Sequence, residues 1–308
     1  AVNGAVTIGD LVNAASVVYG GNSTNQIGAV TVTVNNGSTL DLNNISDSIN
    51  GLVMTGGTVN TGAGVLTLNG NLTYNVGGAA VINGTLNLNG AARTFAINDG
   101  NAVNDLTINA VITNGGITKS NTAGTLVLNG ANNYTLGTTL QGGVLALGNK
   151  AALGTGTLTF NTNSNKTLRA EGIDLTGADA IANAWINNNP NDNNTITLGG
   201  RRDFGGTFNL QLSGAGTIIA PTAAQNHFFS VEDTRVTATL SGVIGGGGPN
   251  LIFGKSGIGT LVISGNNTFD VRDTVLVGAS TLTLGQPEGI RIDGGILRVA
   301  HSNALGIG

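Results

Sequence analysis

The chain has no cysteine, one Met, one Trp and four Pro among 308 residues. Without cysteine there is neither a disulfide scaffold nor a thiolate zinc site. Charge is scarce too. The 12 Lys and Arg and 16 Asp and Glu make up 9% of the chain, where an ordinary globular domain carries about a quarter. No Lys or Arg precedes Arg93, and the acids of that stretch are Asp10, Asp41 and Asp47. Nucleic-acid binding needs a basic stripe to displace counterions from phosphate, and a polybasic membrane patch needs the same residues. Neither partner is expected. No apolar run approaches the roughly 18 residues of a membrane-spanning helix, and the long alternating segments of an outer-membrane barrel are missing, so no membrane insertion by this segment is expected. The first residue is Ala1, with no charged and apolar leader behind it. That fits a leader already removed or a start within a longer protein.

What is abundant is Gly (51), Asn (42) and apolar residues (40%). A net charge of −4 with Val, Ile, Leu and Thr throughout argues against disorder, and Gly without a three-residue period rules out collagen. The dominant signal is a two-residue alternation, as in Ala29-Val-Thr-Val-Thr-Val34, Gly64-Val-Leu-Thr-Leu68, Gly84-Thr-Leu-Asn-Leu88, Asp105-Leu-Thr-Ile108, Gly156-Thr-Leu-Thr-Phe160 and Ser280-Thr-Leu-Thr-Leu284. Each reads as a strand of four to six residues with one buried face. Helical periodicity is absent; the glycine-free stretch Ala178 to Ile186 predicts one or two turns at most. Asn36-Gly37, Asn69-Gly70, Asn89-Gly90 and Asn129-Gly130 are hairpin signals, which favour an antiparallel sandwich or barrel. Against this, the strand unit recurs as if copied, the mark of a repeat architecture. A β-solenoid turns its corners with residues that tolerate positive φ, and Asn side chains stacked one coil apart can hydrogen-bond. Low charge fits as well, since stacked like charges repel. The sequence therefore predicts an all-β parallel β-helix.

The repeat has two quotable copies. Gly142-Gly-Val-Leu-Ala-Leu-Gly-Asn-Lys-Ala-Ala-Leu-Gly-Thr-Gly156 aligns without gaps on Gly294-Gly-Ile-Leu-Arg-Val-Ala-His-Ser-Asn-Ala-Leu-Gly-Ile-Gly308. Upstream, Lys119 to Thr135 answers Lys255 to Asp270 with one gap, pairing Lys119 with Lys255 and Tyr134 with Phe269. This pattern resembles the autotransporter-associated β-strand repeat, found in passenger regions of type V secreted proteins. The match covers about 117–161 and 251–308; the second copy departs from it at Asp270-Val-Arg-Asp273. The resemblance implies a right-handed parallel β-helix displayed outside a Gram-negative cell, a hand also favoured for parallel crossovers. Its role would be that of an extracellular rod, stalk or filament subunit, mechanical and adhesive. An adhesin or carbohydrate-binding passenger, meeting host or surface glycans, is the alternative, and a polysaccharide-degrading enzyme the third reading. At roughly 20 to 25 residues per coil there would be about 12 to 15 coils, and at about 4.8 Å each a rod of about 60 to 70 Å.

Residues 1–308 read as one solenoid, interrupted at about 161–235. That stretch holds Trp185, the polar run Asn187 to Asn194, the doublet Arg201-Arg202 and His227-Phe-Phe. Loops projecting from the coils are expected there, and solenoid binding surfaces collect in such insertions.

No catalytic, cofactor or metal residues emerge. Acid–base catalysis needs paired groups held together, but Glu171 with Asp174, Glu232 with Asp233 and Asp270 with Asp273 share no repeated spacing and read as turn residues. His227 and His301 lie too far apart in sequence for a ligand motif, and there is no Gly-x-Ser-x-Gly elbow. Gly254-Lys255-Ser256 is similar to the end of a phosphate loop, yet Pro249 stands where that motif needs glycine, and a strand follows. Asn191 to Asn194 is the one stretch with calcium-ligand chemistry, and calcium binding stays open. Tyr19, Tyr74, Tyr134 and Trp185 are too scattered to make a sugar-stacking platform, and Tyr134 and Phe269 read as core.

The ends suggest self-association. Ala1 to Gly9 is strand-like and free of side-chain charge, and the second copy stops at Ala304-Leu-Gly-Ile-Gly308, where the first continues into Thr157-Leu-Thr-Phe160. Uncapped strands recruit further chains. Either the rest of a longer passenger follows, or copies stack end to end through Val2, Val6, Ile8, Leu305 and Ile307.

Overall fold

The computed structural model describes residues 2, 4–10, 12–120, 122–161, 164–189, 194–199, 207–223, 225–271, 275–277 and 289–306. They form two compact units, Ala1–Gly156 and Thr157–Gly308. In each unit short strands wind into a β-solenoid, and every strand pair among the described residues is parallel.

In the first unit one sheet stacks Val6–Ile8, Thr31–Val34, Gly51–Met54, Leu72–Tyr74, the end of Thr85–Ile97, the end of Val111–Lys119, and Thr138–Leu140. A second stacks Ser16–Val18, Thr39–Asp41, Gly57–Asn60, Ala80–Asn83, Leu106–Ile108, Thr125–Leu128 and Gly143–Leu147. A third face runs from Asp47–Ile49 through Leu66–Leu68 into the first parts of Thr85–Ile97 and Val111–Lys119. The alternation sets which side faces inward: Thr31–Val34 buries Val32 and Val34, and Leu66–Leu68 buries both leucines. Register then builds vertical columns. Val6, Val32, Leu52, Leu72, Phe95, Lys119 and Leu140 stand one above another, 20 to 26 residues apart. Coil length in this unit stays close to the expected repeat.

The hairpin reading fails at Asn89-Gly90. Both residues have positive φ, +53° and +70°, as a hairpin turn demands. They lie inside Thr85–Ile97, whose first part pairs with Leu66–Leu68 and whose last part pairs with Leu72–Tyr74. The left-handed pair turns a corner between two faces instead of reversing the chain.

The second unit has longer coils. Leu158, Trp185, Gly216 and Ile244 form one column, 27 to 31 residues apart. Lys166, Ile196, Phe229, Lys255 and Ile292 form another, with a step of 37 residues before Ile292. A third sheet stacks Leu210–Leu212, Thr237–Leu240, Thr260–Ile263 and Ile296–Val299. Extra length leaves the register intact because loop closure costs only about 0.6 kcal/mol per doubling. The bore holds a run of aromatic rings, Phe160, Trp185, Phe229, Phe253 and Phe269, with centroids 6.4, 5.9, 5.4 and 5.3 Å apart. Trp185 is therefore core. The expected helical turns shrink to one 3-10 turn at Gly177–Asp179, and the described parts of 161–235 contribute further coil strands, among them Lys166–Ala170, Trp185–Asn188, Asn194–Leu198 and Gln225–Ser230. Asn191 to Asn193, Arg201-Arg202 and Ser280 to Leu284 lie outside the described residues.

Candidate functional site

The two repeat copies lie in different units, with Lys119 to Gly156 in the first and the described residues from Lys255 to Gly306 in the second, and their described corners are built by polar residues at equivalent positions. Asn132 Oδ1 accepts from Ile112 N (2.7 Å) and its Nδ2 donates to Ala152 O (2.6 Å). Asn267 does the same with Ile244 N (2.8 Å) and Ala304 O (2.7 Å). Both side chains are buried, so each satisfies two backbone groups that water cannot reach. Asn149 Oδ1 accepts from Ala151 N (2.9 Å), and His301 Nδ1 accepts from Asn303 N (3.0 Å) at the equivalent position. His301 is thus a turn residue. Tyr134 and Phe269 are fully buried, as expected.

Lys119 and Lys255 are buried in core columns rather than displayed. Lys119 Nζ donates to Thr122 O (2.8 Å). Lys255 Nζ donates to Ser256 O, Gly257 O (2.9 Å) and Gly294 O (3.1 Å). Each ammonium lies under a left-handed glycine of the next coil, Gly143 (φ +65°) or Gly295 (φ +66°), where any Cβ would meet Nζ. Burial lowers both lysines to about 8, against the opposing pull of Asp105 and Glu232 respectively. Gly254-Lys255-Ser256 is accordingly the end of strand Leu251–Ser256, followed by strand Thr260–Ile263, and its lysine is occupied by carbonyls.

Of the acids singled out by sequence, Glu171, Asp174, Glu232 and Asp233 each have a hydrogen-bonding partner. Glu171 pairs with Arg169 (2.9 Å), and Asp174 accepts from Asn209 N (2.7 Å). Glu232 accepts from Ser230 Oγ. Asp233 pairs with Arg235 (2.7 Å), whose hydrogen bonds hold the carboxyl down at about 2. Asp273 lies outside the described residues. His227 is buried, its Nδ1 3.2 Å from Asn187 Nδ2. No group of three or more His, Asp or Glu among the described residues is placed to hold a metal. Tyr19, Tyr74, Tyr134 and Trp185 all lie inside, so none of them presents a ring face to solvent.

An outward amide ladder runs along the first unit. Asn83 Nδ2 donates to Asn60 Oδ1 (2.9 Å), Asn109 Nδ2 to Asn83 Oδ1 (2.9 Å), and Asn129 Nδ2 to Asn109 Oδ1 (2.8 Å). Each Asn directly follows the last inward residue of its strand: Val59, Ile82, Ile108 or Leu128. The ladder ends at Asn60, opposite Asp41 in register. There a groove of about 430 Å³ is lined by Asp41, Asn43, Asn44, Asn60, Asn83 and two glycines. No family model, no curated protein and no solved structure matches the chain. The geometry alone identifies candidate sites. Of the residues expected at subunit contacts, Ile8 is 2% exposed within its own unit, Val6 and Leu305 are half-buried, and Val2 is 46% exposed. Ile307 lies outside the described residues.

Proposed function

We propose that this chain is a non-enzymatic structural β-solenoid of a Gram-negative outer surface, a passenger-type segment whose role is mechanical and adhesive. The observation that carries the reading is the use made of polar residues in the two copies. Lys119 and Lys255, Asn132 and Asn267, Asn149 and His301 all bond backbone groups at equivalent corners. Groups that an enzyme would converge on a substrate are spent on holding coils in place. Parallel pairing saturates backbone groups along each unit, and 12 Lys and Arg leave few trypsin sites. The resemblance of the repeats to autotransporter passengers supports surface display, and zero cysteines suit export of an unfolded chain.

In this reading the coils continue, either by end-to-end stacking of copies or into the rest of a longer passenger. The last strand of the third sheet supports it, with Ile296 59% and Val299 47% exposed. Protease shaving of intact producing cells tests the location: peptides of this segment are expected in the released fraction. Recovery from the cytoplasm alone overturns the proposal.

A further inference from the structure

We infer that the groove at the end of the amide ladder binds a neutral, hydroxyl-rich glycan chain. The inference extends the adhesive half of the proposed function and moves its contact surface from 161–235 to the first unit. The lining decides the ligand class. It contains one carboxylate, four amides and backbone at two glycines, with no cation and no apolar side chain. An anion is repelled by Asp41 and finds no cationic partner. A calcium-type cation takes about six to eight oxygens, and here one carboxylate stands among amide oxygens of Asn44, Asn60 and Asn83 that already accept hydrogen bonds. An apolar ligand would strand the amides without partners. Hydroxyls, which donate and accept at once, match carboxylate and amide together.

The groups are also held in place before any ligand arrives. Asp41 Oδ1 accepts from Asn43 N (2.8 Å), Asn43 Nδ2 donates to Tyr19 O (3.1 Å), and Asn44 Oδ1 accepts from Ala63 N (2.9 Å). Asn43 and Asn44 are both left-handed, at φ +45° and +69°. A site fixed by backbone and neighbours loses little freedom on binding. The ladder adds direction: each amide donates toward the lower-numbered one, so the chain of bonds polarises Asn60 as a donor. Asn60 Nδ2 has no protein acceptor among the described residues, and Asn60 lines the groove with Asp41. Amides recur at each coil, about 4.8 Å apart, close to the length of one pyranose residue, so an extended glycan meets equivalent groups along the stack.

The test uses the full 308-residue chain and hexasaccharides of glucose, mannose, xylose and galactose, with a sulfated oligosaccharide as the charged comparison. Calorimetry is expected to show binding of at least one neutral hexaose. Asp41→Ala should weaken it about tenfold, the loss of one hydrogen bond to a charged group, while Asn266→Ala, in the second unit and outside both groove and ladder, leaves it within about twofold, no more than a minor interaction's worth. Amide chemical shifts of the parent chain supply a readout independent of variant folding, and changes should centre on 41–44, 60–62 and 83–84. Binding of none of the neutral hexaoses overturns the inference. So does binding of the sulfated chain alone, or shifts centred elsewhere. Surface shaving is unaffected by these outcomes, so location and ligand fail separately.

Discussion

Replacing Asn132 by Ala removes both halves of one corner clamp. Ile112 N loses an acceptor at 2.7 Å and Ala152 O loses a donor at 2.6 Å, and the side chain that served them is buried. Alanine leaves a space of a few atoms and cannot bring in an exposed replacement. An unpaired buried donor or acceptor costs about 1 to 3 kcal/mol. Some relaxation toward Tyr134 Oη, 3.4 Å from Ala152 O, offsets part of the acceptor's loss. The expected cost is therefore about 2 to 4 kcal/mol. Asn267→Ala removes equivalent bonds to Ile244 N and Ala304 O and should cost the same. Asn132→Asp should be worse than alanine at neutral pH, because it places a carboxylate oxygen against Ala152 O. Urea unfolding followed by circular dichroism reads the differences as midpoint shifts, with the single Trp185 reporting the second unit. A cost below about 0.5 kcal/mol, the level of an ordinary surface change, would refute the clamp. So would a large cost at one Asn and none at the other.

Lys119 and Lys255 titrate near 8 in the folded chain but near 10.4 when unfolded. Between these values the unfolded chain holds protons that the folded chain has released, so stability should rise from about pH 8 to 10. Above that, Tyr19 and Tyr134, both raised by burial, resist the ionisation that unfolding permits, and stability should fall. Denaturation midpoints against pH check this; a steady decline from pH 8, unchanged in Lys119→Met, contradicts it. Gly216→Ala puts a Cβ into the Trp185 ring and should destabilise the second unit by about 1 to 3 kcal/mol, with a shift in Trp fluorescence; parent-like stability and emission would show the aromatic run is looser than drawn. Sedimentation velocity should show concentration-dependent assembly of the parent chain and its loss in Ile296→Asp, while a monomer at all concentrations removes end-to-end association.

The fold was legible because alternation and copied segments survive in sequence. Thr125-Leu-Val-Leu128 and Thr260-Leu-Val-Ile263 announce the same strand, and Lys119 and Lys255 announce the same corner. What sequence hid is whatever depends on vertical neighbours. Register steps in the first unit vary from 19 to 26 residues, so no fixed period places Asp41, Asn60 and Asn83 in one column. The groove exists only once the coils are stacked. Trp185 looked like part of a loop-rich insertion because the polar run Asn187 to Asn194 follows it, yet its register opposite Leu158 puts it in the bore. Asn-Gly misled for a physical reason as well: left-handed residues turn a solenoid corner as readily as they close a hairpin.

Hydrogen exchange at two backbone amides tests the central claim, that the repeat's polar residues serve the coil. Ile112 N and Ile244 N, in different units, each donate to a buried asparagine side chain rather than to a backbone carbonyl. In a structural solenoid built this way both amides are protected like those of the core strands, and both lose protection in the matching Asn→Ala variant. Exchange of either amide at the rate of an exposed loop would contradict the account.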